Sequence, residues 1–370
     1  MREIHADDMH DVALGAAVLG TGGGGDPYIG KLMAMQAIRQ HGPVRMIDVE
    51  ELDDDALVAP VAMMGAPTVM LEKLPSGHEV LAAFRALETY LGRPIDAVLC
   101  GEAGGLNSTI PFVLAAKAGV PLIDGDGMGR AFPELQMVTF TLHDVPATPL
   151  TMADDKGNSV LVETIDNHWT ERLARSVTID MGGSSLIAFY AMDGKTAKRA
   201  VIRGTVGLAA DIGKTIQTAR SERRSAIHAT RDLLGGYELF QGKISDVERR
   251  TVGGFARGIA KLDGIEGHVG ERFEIEFQNE FLIARRADGT PLCTTPDLIT
   301  LLDAETGEPI TTESLRFGFR VAALGIPGDP QWRSEAGLAL VGPRYFGYDL
   351  DYQPVEALAD AKASPTGGTP

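Results

Sequence analysis

The sequence predicts an α/β protein of two domains, an N-terminal α/β domain with a mainly parallel sheet followed by a β-rich α+β C-terminal domain. Three observations lead there. Through roughly the first 165 residues, short apolar runs alternate with helix-like stretches. After "TIDNHWTERLARSVTID" the texture changes to longer alternating runs separated by turns. The length of 370 residues is also about twice that of an ordinary domain.

Taken in order, "ADDMHDVALGAAVLG" spaces its apolar residues as a helix does, with Asp7 or Asp8 as N-cap. A second helix, "DPYIGKLMAMQAIRQHG", begins at Asp26-Pro27. "VRMIDV", "ALVAPVAMM", "IDAVLCGE" and "VPLIDGD" read as strands, and "SGHEVLAAFRALETYLG" and "STIPFVLAAKAG" as helices between them. That alternation calls for parallel strands covered by helices. The first domain is expected over residues 1–168 and the second over 169–357. Within the second, "GTVGLAADIGKTIQTARSERRSAIHATRDLLGG" reads as a helix pair, and "ERFEIEFQNEFLIARRADGTPLCTTPDLITLLDAETGEPI" as antiparallel strands. Residues 358–370, ending "ASPTGGTP", read as a disordered tail.

Composition narrows the function. A formal net charge of -17 lacks the basic footprint that nucleic acid or an anionic membrane requires. The longest uncharged stretch, "ALVAPVAMMGAPTVML", has 16 residues with two prolines and a glycine, and cannot span a bilayer. The start "MREIHADDMHD" has no apolar signal core. Cys100 and Cys293 are the only cysteines and form no C-x-x-C pair, so a cytoplasmic setting is expected and a thiolate zinc site is not.

Glycine makes up 44 of the 370 residues, well above the roughly 7% of average chains, and much of it gathers in loops that follow apolar runs. In "LGTGGGGDPYIG", Gly20, Gly22 and Gly25 match a dinucleotide fingerprint, with Asp48 at the distance of a ribose-binding acid. The context speaks against it, because a helix rather than a strand leads into the glycines; no NAD is expected. Gly22, Gly23, Gly24 and Gly25 are instead candidates to hold a substrate through their amides, or form a structural turn. Tyr28 reads as a packing residue.

A second loop, "LCGEAGGLNSTIPF", places Glu102 and Asn107 just past a strand end, where open α/β sheets bind ligands. Asn107 or Ser108 serves equally as a helix cap, and Cys100 reads as a buried small residue. The densest cluster is "VPLIDGDGMGRAFPELQM". Asp124 and Asp126, with Glu134 and Arg130 beyond, suit acid–base work, a divalent metal such as zinc or a polar ring-shaped ligand held by paired hydrogen bonds, or amount to an Asx-turn with an Arg–Asp pair. His143 would complete a metal set with Asp124 and Asp126. "GLAADIGKT" lacks the first glycine of a phosphate loop. "TIDMGGSS" is similar to the phosphate-binding start of actin-like ATPases without a second matching element, so ATP is not expected.

Together "LGTGGGGDPYIG", "GEAGGLNST" and "IDGDGMGRAFPELQM", with "CTTPDLI" and "GPRYFGYD", resemble a family once known only as a domain of unknown function and now described as S-methyl thiohydantoin desulfurase. The resemblance implies two domains and hydrolytic removal of methanethiol from a 2-methylthio-hydantoin, a small cyclic substrate. It also implies companionship with hydantoinase/oxoprolinase enzymes, and a homo-oligomer is expected. The alternatives are an accessory subunit or an ATP-assisted amidohydrolase of the hydantoinase/oxoprolinase type, and a non-enzymatic small-molecule binding protein. Chemical reasoning assigns Glu102, Asp124, Asp126 and Glu134 to catalysis, and Gly22 to Gly25, Asn107 and Arg130 to substrate binding.

Overall fold

A computed structural model describes residues 1–65, 69, 76–252 and 255–363. The chain forms two compact units, one of Met1–Lys214 with Gly253–Phe255 and one of Thr215–Val252 with Ala256–Pro370.

In the first unit the strands are β1 (Arg2–Ile4), β2 (Val44–Ile47), β3 (Leu57–Gly65), β4 (Ala97–Cys100), β5 (Leu122–Ile123), β6 (Gly125–Asp126), β7 (Leu150–Ala153), β8 (Ser159–Val162), β9 (Ser184–Ala188), β10 (Met192–Asp193) and β11 (Ile202–Arg203). The helices are α1 (Met9–Leu19), α2 (Tyr28–His41), α3 (Glu79–Leu91), α4 (Ile110–Ala118), α5 (Thr139–Leu142), α6 (Asn167–Asp180), α7 (Gly194–Ala200) and α8 (Thr205–Ser221), the last of which runs past Lys214. The main sheet has the order β1-β2-β5-β4-β3-β9-β7-β8, and β10 pairs with β3. Parallel pairing holds β2, β5, β4 and β3 together. The strands added on either side are antiparallel, so the sheet is mixed.

Local sequence explains the pattern. β3 is an almost continuous apolar run because it is covered on both faces. Pro60 fits mid-strand because it falls between the β9 pairs, which end at Val61, and the β10 pairs, which begin at Val58. α3 and α4 end in left-handed Gly92 and Gly119, conformations open to glycine at no steric cost. Phe84, Leu87, Phe112 and Leu114 from these two helices join Val61 and Val98 of the sheet in one buried core.

The second unit continues with α9 (Ala226–Leu233), then β12 (Tyr237–Val252), β13 (Phe255–Gly264), β14 (Arg272–Gln278), β15 (Glu280–Arg286), β16 (Pro291–Thr294), β17 (Leu298–Asp303) and β18 (Arg320–Ile326), with α10 (Glu335–Val341) and α11 (Val355–Ala363). Its sheet has the order β16-β15-β14-β13-β12-β18-β17 and curls until β15 and β16 touch β17. Phe240 and Phe273 stack at 4.9 Å inside it, beside Phe281 and Leu301.

The first compact unit runs on past the boundary expected at 168, because β9 inserts between β3 and β7 and completes their ladders. One expectation needs correction. Residues 358–363, read as tail, continue α11; the rest of that stretch lies outside the described residues.

Two glycines hold α1 against the start of α8. A Cβ on Gly15 would stand 1.8 Å from the Ala209 carbonyl oxygen, and one on Gly213 would stand 2.0 Å from that of Asp11. Gly15→Ala is expected to lower the unfolding free energy by roughly 1–3 kcal/mol through overpacking. Gly267→Ala, where a Cβ meets nothing within 4 Å, should stay within about 0.5 kcal/mol in the same urea titration.

Candidate functional site

Three glycine-bearing loops meet at the carboxyl end of the parallel strands. The first joins α1 to α2, the second follows β4 and the third follows β5. Their backbones approach so closely that side chains are excluded. A Cβ on Gly24 would stand 2.8 Å from the Gly104 carbonyl oxygen, and one on Gly105, at φ +60°, would stand 2.4 Å from Gly24. Gly104 also packs on Gly20 and Ala131, and the Leu106 amide donates to the Gly24 carbonyl. Close packing between loops thus accounts for Gly20, Gly24, Gly104 and Gly105, while Gly22, Gly24 and Gly25 also adopt positive φ of 82°, 71° and 76°. Gly23 donates back to the Gly20 carbonyl, whereas the Gly22 and Gly25 amides make no backbone hydrogen bond among the described residues.

Asp126 ties the second loop to the third. Its side chain is fully buried, and its oxygens accept from the amides of Ala103 at 2.7 Å, Met128 at 3.1 Å and Gly129 at 2.9 Å. Burial pushes its carboxyl up to about 7, against the opposing pull of these amides. The Met128 amide closes an Asx-turn on this aspartate, while Arg130 donates to Thr21 and Ala131, and three amides occupy most of the carboxylate's acceptor capacity. Asp124 faces elsewhere: it accepts from the Gly207 amide at 2.8 Å and so caps the start of α8. Burial raises its carboxyl too.

Glu102 is different. It is 7% exposed, and its carboxyl is held by the Asn107 side-chain amide at 2.7 Å and by the Phe132 backbone amide. Desolvation pushes it up to about 8, so the side chain is an uncharged acid at neutral pH, able to give a proton. Asn107 is itself fixed, since its oxygen accepts from the Met63 amide at 2.6 Å and its nitrogen donates to the Met63 carbonyl at 3.2 Å. Asn107 thus anchors Glu102 to β3, where the sequence suggested a substrate-binding group or a helix cap.

Arg130 is buried and acts as a strut between loops, donating to the Thr21 hydroxyl at 2.9 Å and the Ala131 carbonyl at 3.0 Å, with its guanidinium over Phe132. Glu134 accepts from the Gln136 side chain. His143 ends α5, its amide bonded to the Phe140 carbonyl. Among the described residues no three His, Cys, Asp or Glu side chains form a metal-binding group; Asp124, Asp126 and His143 do not make a zinc site. Cys100 is buried, and burial with the neighbouring carboxyls raises its thiol well above the ordinary value, as expected of an inert residue. Tyr28, expected to pack, is 54% exposed with Lys31 over its ring. "TIDMGGSS" is the turn from α6 into β9, with Gly182 and Gly183 at positive φ.

Sequence reasoning undervalued the aspartate of "CTTPDLI". In the second unit the buried Asp297 accepts from the Gly328 and Val355 amides, the Tyr352 hydroxyl at 2.9 Å and Arg333 at 2.7 Å. Its only sequence signal is an acid set among apolar and threonine residues just before a strand.

These burials couple stability to pH. Glu102 and Asp126 hold protons in the folded state at pH values where the unfolded chain, near 4.5 and 3.8, has released them. Their stabilisation is complete below those values and is lost as pH rises through about 7 and about 8. Chemical denaturation across this range should show stability falling toward alkaline pH, and Glu102→Gln should flatten that decline. Asp126→Ala, which orphans three amides, is expected to cost about 2–4 kcal/mol at pH 6.

Among the described residues no helix is long and apolar enough to cross a membrane. No curated protein gives a significant match. A crystal structure of a protein from Chromobacterium violaceum matches with a TM-score of 0.80 and 25% identity, over 96% of this chain and 100% of that one. Residues 7–164 match the S-Me-THD-like N-terminal domain and residues 165–355 the S-Me-THD-like C-terminal domain. Nearly the whole chain is thus accounted for by two adjoining models, and the protein belongs to the S-Me-THD-like family.

Proposed function

We infer that the chain is a hydrolase of small cyclic amides of the hydantoin type, releasing methanethiol from an S-methyl thiohydantoin. The family's name is the ground for the substrate class, and the observation that carries the reading is Glu102, an enclosed carboxyl raised to about 8 at the end of β4.

The reaction asks for little else in kind. Water adds to the ring carbon that bears nitrogen and sulfur, the C–S bond breaks, and the thiolate leaves as methanethiol while the carbon becomes a carbonyl. Both protons of the water are redistributed, one to the ring nitrogen and one to the leaving sulfur. Glu102 in its neutral form protonates the ring nitrogen as water adds and, once ionised, takes a proton back from the added water; when the tetrahedral adduct collapses its hydroxyl proton leaves with the thiolate as methanethiol, so atoms and protons balance over the cycle. Asn107 keeps the carboxyl in place. The Gly22 and Gly25 amides, without backbone acceptors among the described residues, suit the ring carbonyl. Asp126, Asp124 and Arg130 act by holding the loops.

The test is methanethiol release from an S-methyl thiohydantoin, followed with a thiol reagent. Glu102→Gln should lower kcat by roughly 100-fold or more and keep wild-type folding. In the wild type, kcat/KM should fall as pH rises through about 8, where Glu102 loses the proton it must give. Turnover by Glu102→Gln at the wild-type rate would refute the assignment.

A further inference from the structure

Away from these loops, the first unit carries a groove of about 530 Å³ where α2, the start of α3 and α4 converge. The volume is that of a small-molecule site. α2 contributes one face at helical spacing, Gln40 and His41 among its residues; His78 stands just ahead of α3, and Lys117 on α4. Leu81 and Val113 supply apolar surface. The backbone before α3 crosses close to the lysine, since a Cβ on Gly77 would stand 3.4 Å from its Nζ.

The charge of this groove is opposite to that of the chain. The protein has 51 acidic and 34 basic residues, yet among the described residues no aspartate or glutamate lines it. Lys117 makes no ion pair among them, unlike the lysines at 198 and 261, which pair with carboxylates. Two imidazoles, the primary amides of Gln36 and Gln40 and an ammonium therefore surround an apolar floor, with no carboxylate among the described lining residues to answer them. A cation beside apolar surface selects a ligand with a carboxylate head and an apolar body, because each part is desolvated against its own kind.

We propose that the groove between α2, α3 and α4 is a second binding site, for a small amphipathic carboxylate. It is separate from the Glu102 loops and does not depend on the hydrolase reading. The probes are phenylacetate, its neutral analogue phenylethanol and its cationic analogue phenethylamine, titrated into the full chain by calorimetry and by amide chemical-shift mapping. Phenylacetate is expected to bind in the millimolar range, with shifts confined to residues of α2, α3 and α4, and to bind more tightly than either analogue. Lys117→Gln combined with His41→Gln should weaken it roughly tenfold, about 1.4 kcal/mol, while the melting temperature and any methanethiol release stay at wild-type values. Equal binding of phenethylamine, shifts elsewhere on the surface, or undiminished affinity in the double variant would overturn the proposal. So would the absence of any phenylacetate binding at millimolar concentration.

Discussion

A carboxylate with no access to water must find donors inside the protein, and Asp126 finds them on two loops at once. The amides of Ala103 on one side and Met128 and Gly129 on the other converge on its two oxygens. Each would otherwise be a buried orphan donor, so removing the acid costs more than a single bond. The glycines follow from the same requirement. For the loops to stay within reach of one aspartate their backbones must nearly touch, and at Gly24 and Gly105 no Cβ fits. Arg130 braces the first loop against the third through Thr21, a residue itself held at a φ of 49°.

This frame gives Glu102 its character. The residue sits three positions before Gly105, in a stretch where every residue is buried. Its carboxyl has two donors to lean on, fewer than Asp126, so burial prevails over hydrogen bonding and the proton is held more firmly. Two acids on adjacent loops thus part company in role. The one surrounded by amides fixes structure, and the one with spare capacity retains a transferable proton. Burial is the main cause of the raised Glu102 carboxyl, and the like charge of Asp126 adds to it.

Much of this was legible in the sequence. The helices flanking the glycine loop, the strands before Glu102 and Asp124, and the antiparallel run after residue 272 all follow from periodicity and caps. The three motifs that mark the family also proved to be the three loops that meet. What periodicity does not carry is direction. Asp124 and Asp126 are two apart in the chain and look like a pair, yet one turns to the Gly207 amide and the other to Ala103. That divergence arises because the chain passes from β5 to β6 between them, and β6 pairs with β11 rather than with the main sheet. Asn107 misled for a related reason, since its partner Met63 lies on a strand 44 residues away.

The boundary expected at 168 falls close to residue 164, where the family's two sequence domains adjoin, but non-local pairing carries the first compact unit beyond it. The match divides at residue 164, but β9 lies beyond that point and is hydrogen-bonded on one side to β3 and on the other to β7. A fragment ending at 164 would leave Val61 to Gly65 without antiparallel partners, and would free the inner edge of β7 at Thr151 to Ala153. Both are buried apolar strands, and exposed edges of this kind associate with other chains. The same fragment would lack Gly207, the donor for Asp124. The sequence domain called N-terminal is therefore not a folding unit by itself. The third glycine loop is thus tied, through Asp124, to the first turn of α8, beyond the point where the two sequence domains adjoin.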